Sequence, residues 1–216
     1  MPFTTIHVSY FLAASFGHLE WCVPYWLDCY SISATGRALP EKIWFKLGMI
    51  PAALVTVTLW WSAAEWRHQT AATRYNKSLA AMRWIGLVAA LFLILYTLAL
   101  GEEGPTYRNL RRTGVILAFS LTFVSQLLLT RSIGELAKIR NDKYMGIWHQ
   151  RLMTVTVVLL VTGLISVVLT YALGDTYHRM ENAFEWTMAL MLNAYFVGLA
   201  IMWSGEKAAL KVVLNR

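Results

Sequence analysis

The run LMTVTVVLLVTGLISVVLTYALG, from Leu152 to Gly174, contains no Asp, Glu, Lys or Arg. At about 1.5 Å of rise per residue it forms a helix of about 34 Å, enough to cross a hydrocarbon core of about 30 Å. Its apolar residues are continuous, which a membrane β-strand with alternating faces would not be. Outward from this run, charge-free stretches recur at 1–19, 47–64, 84–101, 113–130 and 186–205. The first carries on past Glu20 to about Leu27, because Trp21, Cys22, Val23, Tyr25, Trp26 and Leu27 keep the apolar character. No basic residue precedes it and no small-residue cleavage pattern follows, so it reads as a retained helix and not a signal peptide. The expected architecture is all-α: a polytopic membrane protein with a six-transmembrane-helix bundle in one domain over 1–216. Its spans are expected at about 5–27, 46–66, 84–101, 113–131, 152–174 and 185–205, with an outer loop at 28–45 and Glu20 inside the first span near its end. Composition agrees, since 57% of the chain is apolar and only 14% charged. That excludes a soluble enzyme or a disordered chain, and two cysteines are too few for a disulfide scaffold.

Charge position predicts orientation. If both termini are cytoplasmic, the inner segments hold 12 of the 19 basic residues and four acidic ones, while the outer segments hold seven basic and eight acidic. This is the positive-inside bias. Basic residues beside helix ends meet anionic lipid head groups, so no nucleic-acid partner is expected. Trp21, Trp26, Trp44 and Trp186 fall at outer ends and Trp60, Trp61, Trp66, Trp84, Trp148 and Trp203 at inner ends, as in an aromatic belt.

The outer loop reads Ile32, Ser33, Ala34, Thr35, Gly36, Arg37, Ala38, Leu39, Pro40, Glu41, Lys42, Ile43, Trp44, Phe45. Thr35 and Gly36 favour a turn, Pro40 suits the start of a helix, and Glu41 in its first turn complements the dipole. The segment resembles the I-S-x-T-G-x-x-x-P-E-K-x-x-F stretch of the Frag/DRAM/Sfk family of six-span membrane proteins, which includes the damage-regulated autophagy modulators and the GPI-anchor lipid-remodelling factors. Ala183, Phe184, Glu185 and Trp186 are similar to that family's A-x-E-W at the last span, and Gly114 with Phe119 to its G-x4-F spacing. Trp148, Gln150, Arg151 and Leu152 resemble the W-x-Q-R-L of the GPI-remodelling branch. Ala34 stands where the family often has an acidic residue, and Arg111 where it often has a histidine.

The outer ends gather the polar groups that membrane depth makes costly. Glu185, His178 and Glu20 are the candidate acid or base residues. Arg111, Arg112, Arg179, Ser33, Thr35 and Glu41 are the candidates for holding a lipid head group. Glu181 and Glu185 are equally readable as helix-end dipole contacts. The resemblance implies a protein that binds or remodels lipid at its outer-leaflet face. Acyl transfer is the first reaction to consider if it is an enzyme, with His178 or His18 as base and Ser31, Ser33 or Thr35 as hydroxyls, although no nucleophile signature accompanies them. The alternative is a non-enzymatic accessory or regulatory subunit that docks other membrane proteins. A minor alternative is a haem-binding bundle, since His7 and His18 would share one face of the first span. There is no H-E-x-x-H and no Cys–His cluster, so neither metal nor cofactor is expected. Cys22 and Cys29 could pair only if the first helix ends between them. Thr162, Ser166 and Thr170 on the fifth span, Thr122, Gln126 and Thr130 on the fourth, and Asn193 on the sixth read as interhelical packing.

Overall fold

The computed structural model describes residues 2–71 and 77–205. Arg74, Glu206, Lys207, Lys211 and Arg216, counted above on the inner face, lie outside them. The described residues contain α-helices and short 3-10 turns and no strand. The helices are α1 (Pro2–Ser15), α2 (Glu41–Ala71), α3 (Lys77–Ala99), α4 (Pro105–Arg140), α5 (Lys143–Leu173) and α6 (His178–Gly205), and the 3-10 turns are Ile32–Gly36 and Gly174–Tyr177. Helices α2 to α6 are each long and apolar enough to cross a membrane.

The first helix is shorter than expected. It stops at Ser15, so 16–27 is not helical and Glu20 is exposed in an irregular segment instead of lying inside a span. The stop is a helix terminus of Schellman type. Gly17 adopts φ +76, its N–H bonds to the Ala14 carbonyl, and the His18 N–H reaches back to Ala13 at 2.9 Å. A β-carbon makes that backbone conformation costly, and glycine avoids the cost. His7 and His18 therefore do not share a helix face. Because the helix ends before both cysteines, Cys22 and Cys29 come within 5.6 Å at Cα and are disulfide-bonded.

The other ends follow from local chemistry. Pro105 opens α4 at a position where its missing N–H costs nothing. Asn141, left-handed at φ 51, closes α4 by donating to the Ala137 and Lys138 carbonyls. Asp142 then caps α5 by accepting from the Tyr144 and Met145 N–H groups. Two residues thus turn the chain through a tight antiparallel corner.

Two cores hold the bundle. The one at the loop end contains Ile6, Tyr10, Phe45, Met49, Tyr96 and Trp186, and the one at the opposite end contains Trp60, Met82, Leu129, Ile133, Leu152 and Tyr195. Trp60, Trp66 and Trp186 are core residues, not members of an interfacial belt. Small residues set the helix spacing. A β-carbon on Gly86 of α3 would stand 2.2 Å from Cδ1 of Trp60 on α2, and one on Gly134 of α4 would stand 2.5 Å from Cε1 of His149 on α5. The polar row on α4 does bond across to α6, whereas Asn193 on α6 and Thr170 on α5 donate to carbonyls of their own helices. Gln126 donates to the Leu192 carbonyl at 3.1 Å, and Tyr195 donates to the Gln126 carbonyl at 2.9 Å while lying 2.9 Å from the Thr130 hydroxyl.

Candidate functional site at the loop end of the bundle

The loop that carries the resemblance folds across one end of the bundle. Ile32 and Thr35 are buried, and the Thr35 hydroxyl donates to the Ile32 carbonyl at 2.8 Å, tightening the 3-10 turn. A β-carbon on Gly36 would fall 2.7 Å from Leu100 Cδ2 and 2.8 Å from Phe45 Cγ, so this position needs a close approach that only glycine permits. Glu41 opens α2 with 1% of its side chain exposed, and its Oε1 lies 2.8 Å from His18 Nδ1. Its Oε2 is buried without a hydrogen-bond partner. Ser31 accepts from the Ala34 N–H, and the Ser33 hydroxyl lies 3.1 Å from that of Ser31. These loop hydroxyls are taken up by the loop's own turns.

Helix α6 fastens the segment before the loop. Trp186 donates its indole N–H to the Tyr30 carbonyl at 2.9 Å, and Asn182 donates to the Cys29 carbonyl at 2.7 Å. Arg179 makes a two-pronged pair with Asp28 at 2.6 and 2.8 Å. The hydrogen-bonded guanidinium holds the Asp28 carboxyl below the usual carboxylate range. Glu185 lines a slot between the helices, as does Ile32 of the loop.

Apart from Glu185, the structure separates the expected site residues into three groups. Arg111 borders an open cavity of about 550 Å³, together with Arg37, Glu102, Glu103, Pro105 and Arg108. Glu41, Thr35, Ser33 and Arg179 are bound into the loop and its fastening. His178 is exposed and, among the described residues, paired with Glu181 at 3.2 Å, while Glu20 and Arg112 are exposed and do not border the cavity. Sequence reading missed Arg37 and Arg108. Arg108 and Arg111 are three apart on α4 and so share a face, a spacing that was visible. Arg37 is 71 positions away and nothing local announces that it joins them.

The cavity has a cationic character. Arg37 donates to the Ser33 carbonyl and hydroxyl at 3.3 and 3.2 Å, and Arg111 donates to the Ala99 and Glu102 carbonyls at 3.1 and 2.7 Å. These neutral partners orient both guanidinium groups without an ion pair, although Glu102 and Glu103 border the same cavity. The Arg108 guanidinium makes no bond within the described residues. Glu102 is paired with Lys42 at 2.8 Å and Lys46 at 3.2 Å. Gly104 provides no side chain to cap α4, so the free N–H groups and positive dipole end of that long helix open on the same space. The arrangement suits an anion with several acceptor oxygens.

The lysine pair makes this end sensitive to acid. Hydrogen bonds from Lys42 and Lys46 hold the Glu102 carboxyl below its ordinary range. A lowered folded value adds stability above the unfolded value, which is lost as pH falls through the folded one. The protection of the amides in 100–104, taken relative to their intrinsic exchange rate at each pH, is therefore expected to fall as the medium is acidified past the ordinary carboxylate value of about 4.3. In Glu102→Gln that protection should vary little across the same range. A flat profile in the unaltered protein would refute the linkage.

Among the described residues, six helices, five of them of membrane-crossing length, with a folded loop across one end, define an integral membrane protein of cell or endomembranes. The particular family follows from comparison with known proteins: the family model of the Frag1/DRAM/Sfk1/Cwh43P N-terminal domain matches residues 1–202, and the chain belongs to that family. No curated protein and no solved structure matches it.

Proposed function

We propose that the protein recognises lipid at the loop end of its bundle, with the arginine-lined cavity as the head-group site. The observation that carries this reading is the 550 Å³ cavity itself, where Arg37, Arg108 and Arg111 meet the open end of α4. Anionic oxygens there would take charge-assisted hydrogen bonds. In this reading α1 completes a six-span bundle, both termini are cytoplasmic, and the loop end faces the outer leaflet. The basic excess of the opposite segments supports that orientation, and so does the Cys22–Cys29 disulfide at the loop end, which suits an oxidising compartment. The reading stops at recognition. Ser31, Ser33 and Thr35 serve the turn, so no acyl-transfer step is assigned to them.

The test is native mass spectrometry of the full chain in mild detergent, offered phosphatidylglycerol and phosphatidylcholine in equal amounts. Phosphatidylglycerol should be preferred. Arg37→Ala combined with Arg108→Ala should cut that preference about tenfold, the equivalent of about 1.4 kcal/mol and in the range of one charged hydrogen bond. Equal retention of the two lipids by the unaltered protein would sink the reading. A second reading, an accessory subunit that docks other membrane proteins, is favoured by α5, whose apolar stretch is only 17% buried in the bundle, the lowest share of the five long helices. Crosslinking from Val161 or Val168, both exposed on α5, distinguishes the two: capture of one discrete protein supports docking, and lipid adducts alone count against it.

A further inference from the structure

Between the two cores runs a narrow slot of about 80 Å³, bounded by α1, α2, α3, α4 and α6. Along α6 it is lined from Glu185 to Phe196, and the eleven helical steps between them correspond to about 16 Å. A small volume spread over that length makes a channel for one extended chain and leaves no room for a fused ring system. Most of its wall is apolar, Ile6, Met49, Ala118, Phe119, Ala189 and Leu192 among it, with Thr122 the added polar group on α4.

Two polar groups border it with capacity to spare. Tyr96 is 2% exposed and its hydroxyl has no hydrogen-bond partner, a costly condition for a buried phenol. The Glu185 carboxyl also lines the slot, and a carboxyl has acceptor sites for more than one donor. Thr56 and Asn193, deeper in the slot, donate to carbonyls of their own helices at 2.8 and 2.7 Å. Tyr96 lies one turn from the end of α3 and Glu185 two turns from the start of α6, so both belong to the loop-end part of the slot. The 3-10 turn has Ile32 on the slot and its C-cap, Arg37, on the arginine cavity.

We propose that this slot binds the hydrocarbon chain of a single-chain lipid bearing a free hydroxyl, with that hydroxyl donating to Glu185 and accepting from Tyr96. A hydroxyl is the smallest group able to do both. The chain displaces nothing charged and meets apolar walls, and the polar end satisfies the orphaned phenol. The site uses different residues from the head-group cavity and stands or falls separately from it.

The experiment offers the full-length protein in detergent 1-monooleoylglycerol and methyl oleate, which has the same chain and no hydroxyl. Native mass spectrometry reads the fraction carrying one adduct. The unaltered protein should take one monooleoylglycerol, with methyl oleate about tenfold weaker. Tyr96→Phe should bring the two ligands together at the weaker level, and Ala189→Leu, which fills the slot, should abolish uptake of both. Ala118→Leu fills it from α4 and serves if Ala189→Leu does not fold. The Arg37→Ala, Arg108→Ala variant should leave monooleoylglycerol uptake unchanged, which separates this site from the anionic one. Equal uptake by the unaltered and slot-filled proteins overturns the proposal. So does a hydroxyl preference that survives Tyr96→Phe, or a slot that takes up neither lipid and holds only water.

Discussion

Replacing Trp186 with alanine should cost about 3–5 kcal/mol of stability, the usual range for truncating a fully buried tryptophan. The residue is the hub of the loop-end core. Its side chain is fully buried, and its ring lies 5.2 Å from His7, 6.3 Å from Tyr10 and 6.0 Å from Tyr25, all in edge-on or near edge-on geometry. Truncation would also strand the Tyr30 carbonyl, which accepts the indole N–H. The damage should spread because Tyr10 is itself doubly engaged by Cys22, donating to its carbonyl and accepting its N–H. Thermal unfolding in detergent measures the loss. Trp186→Phe, which keeps most of the ring and removes the N–H, should fall between the two. If Trp186→Ala unfolds at the same temperature as the unaltered chain, the hub role is wrong.

Gly86→Val should be destabilising by about 1–3 kcal/mol or somewhat more, through overpacking instead of cavity formation. The first added carbon would stand 2.2 Å from Trp60 Cδ1 and 2.7 Å from its Cγ. The indole has no easy retreat, because it is fully buried and its ring lies 5.6 Å from that of Phe196. Either α3 moves away from α2 or the opposite core repacks. Gly146→Ala is the control, since nothing lies within 4 Å of a β-carbon there. Combining Gly86→Val with Trp60→Leu should recover part of the loss, and the double-mutant cycle isolates the contact. Strict additivity of the two changes would show that the contact does not set the helix spacing.

Helices α2 to α6 were legible because charge gaps of membrane length are a strong physical signal. Each helix nonetheless extends past its charge-free run, as α4 does by carrying Arg131, Glu135, Lys138 and Arg140 on its last turns. Hydropathy alone misread the first helix. The aromatic segment 21–27 is as apolar as a span, and the decisive signal was conformational: Gly17, where a left-handed residue ends the helix. Pairing of Cys22 with Cys29 depended on that same point. Of the candidate site, the loop residues and Arg111 could be read locally, because a turn motif and a helix face are short-range patterns. The cavity could not, since Arg37 reaches it from the loop and Arg108 from α4, brought together only by packing. Tyr96 was invisible for a related reason: an apolar-flanked tyrosine in a span looks like any core residue until its hydroxyl is seen to lack a partner.

The corner at Asn141 and Asp142 has a practical use. Helix α4, with 36 residues, extends about 54 Å, well over a hydrocarbon thickness of about 30 Å. Its last turns and the first turns of α5 lie against each other, with Gly134 beside His149 and both helix ends capped. This stiff hairpin is a natural graft point for a fiducial domain. A small soluble protein inserted there, joined through continuous helix on both sides, would stand rigidly off the bundle and give single-particle images of this small chain an orientation mark far from the loop end.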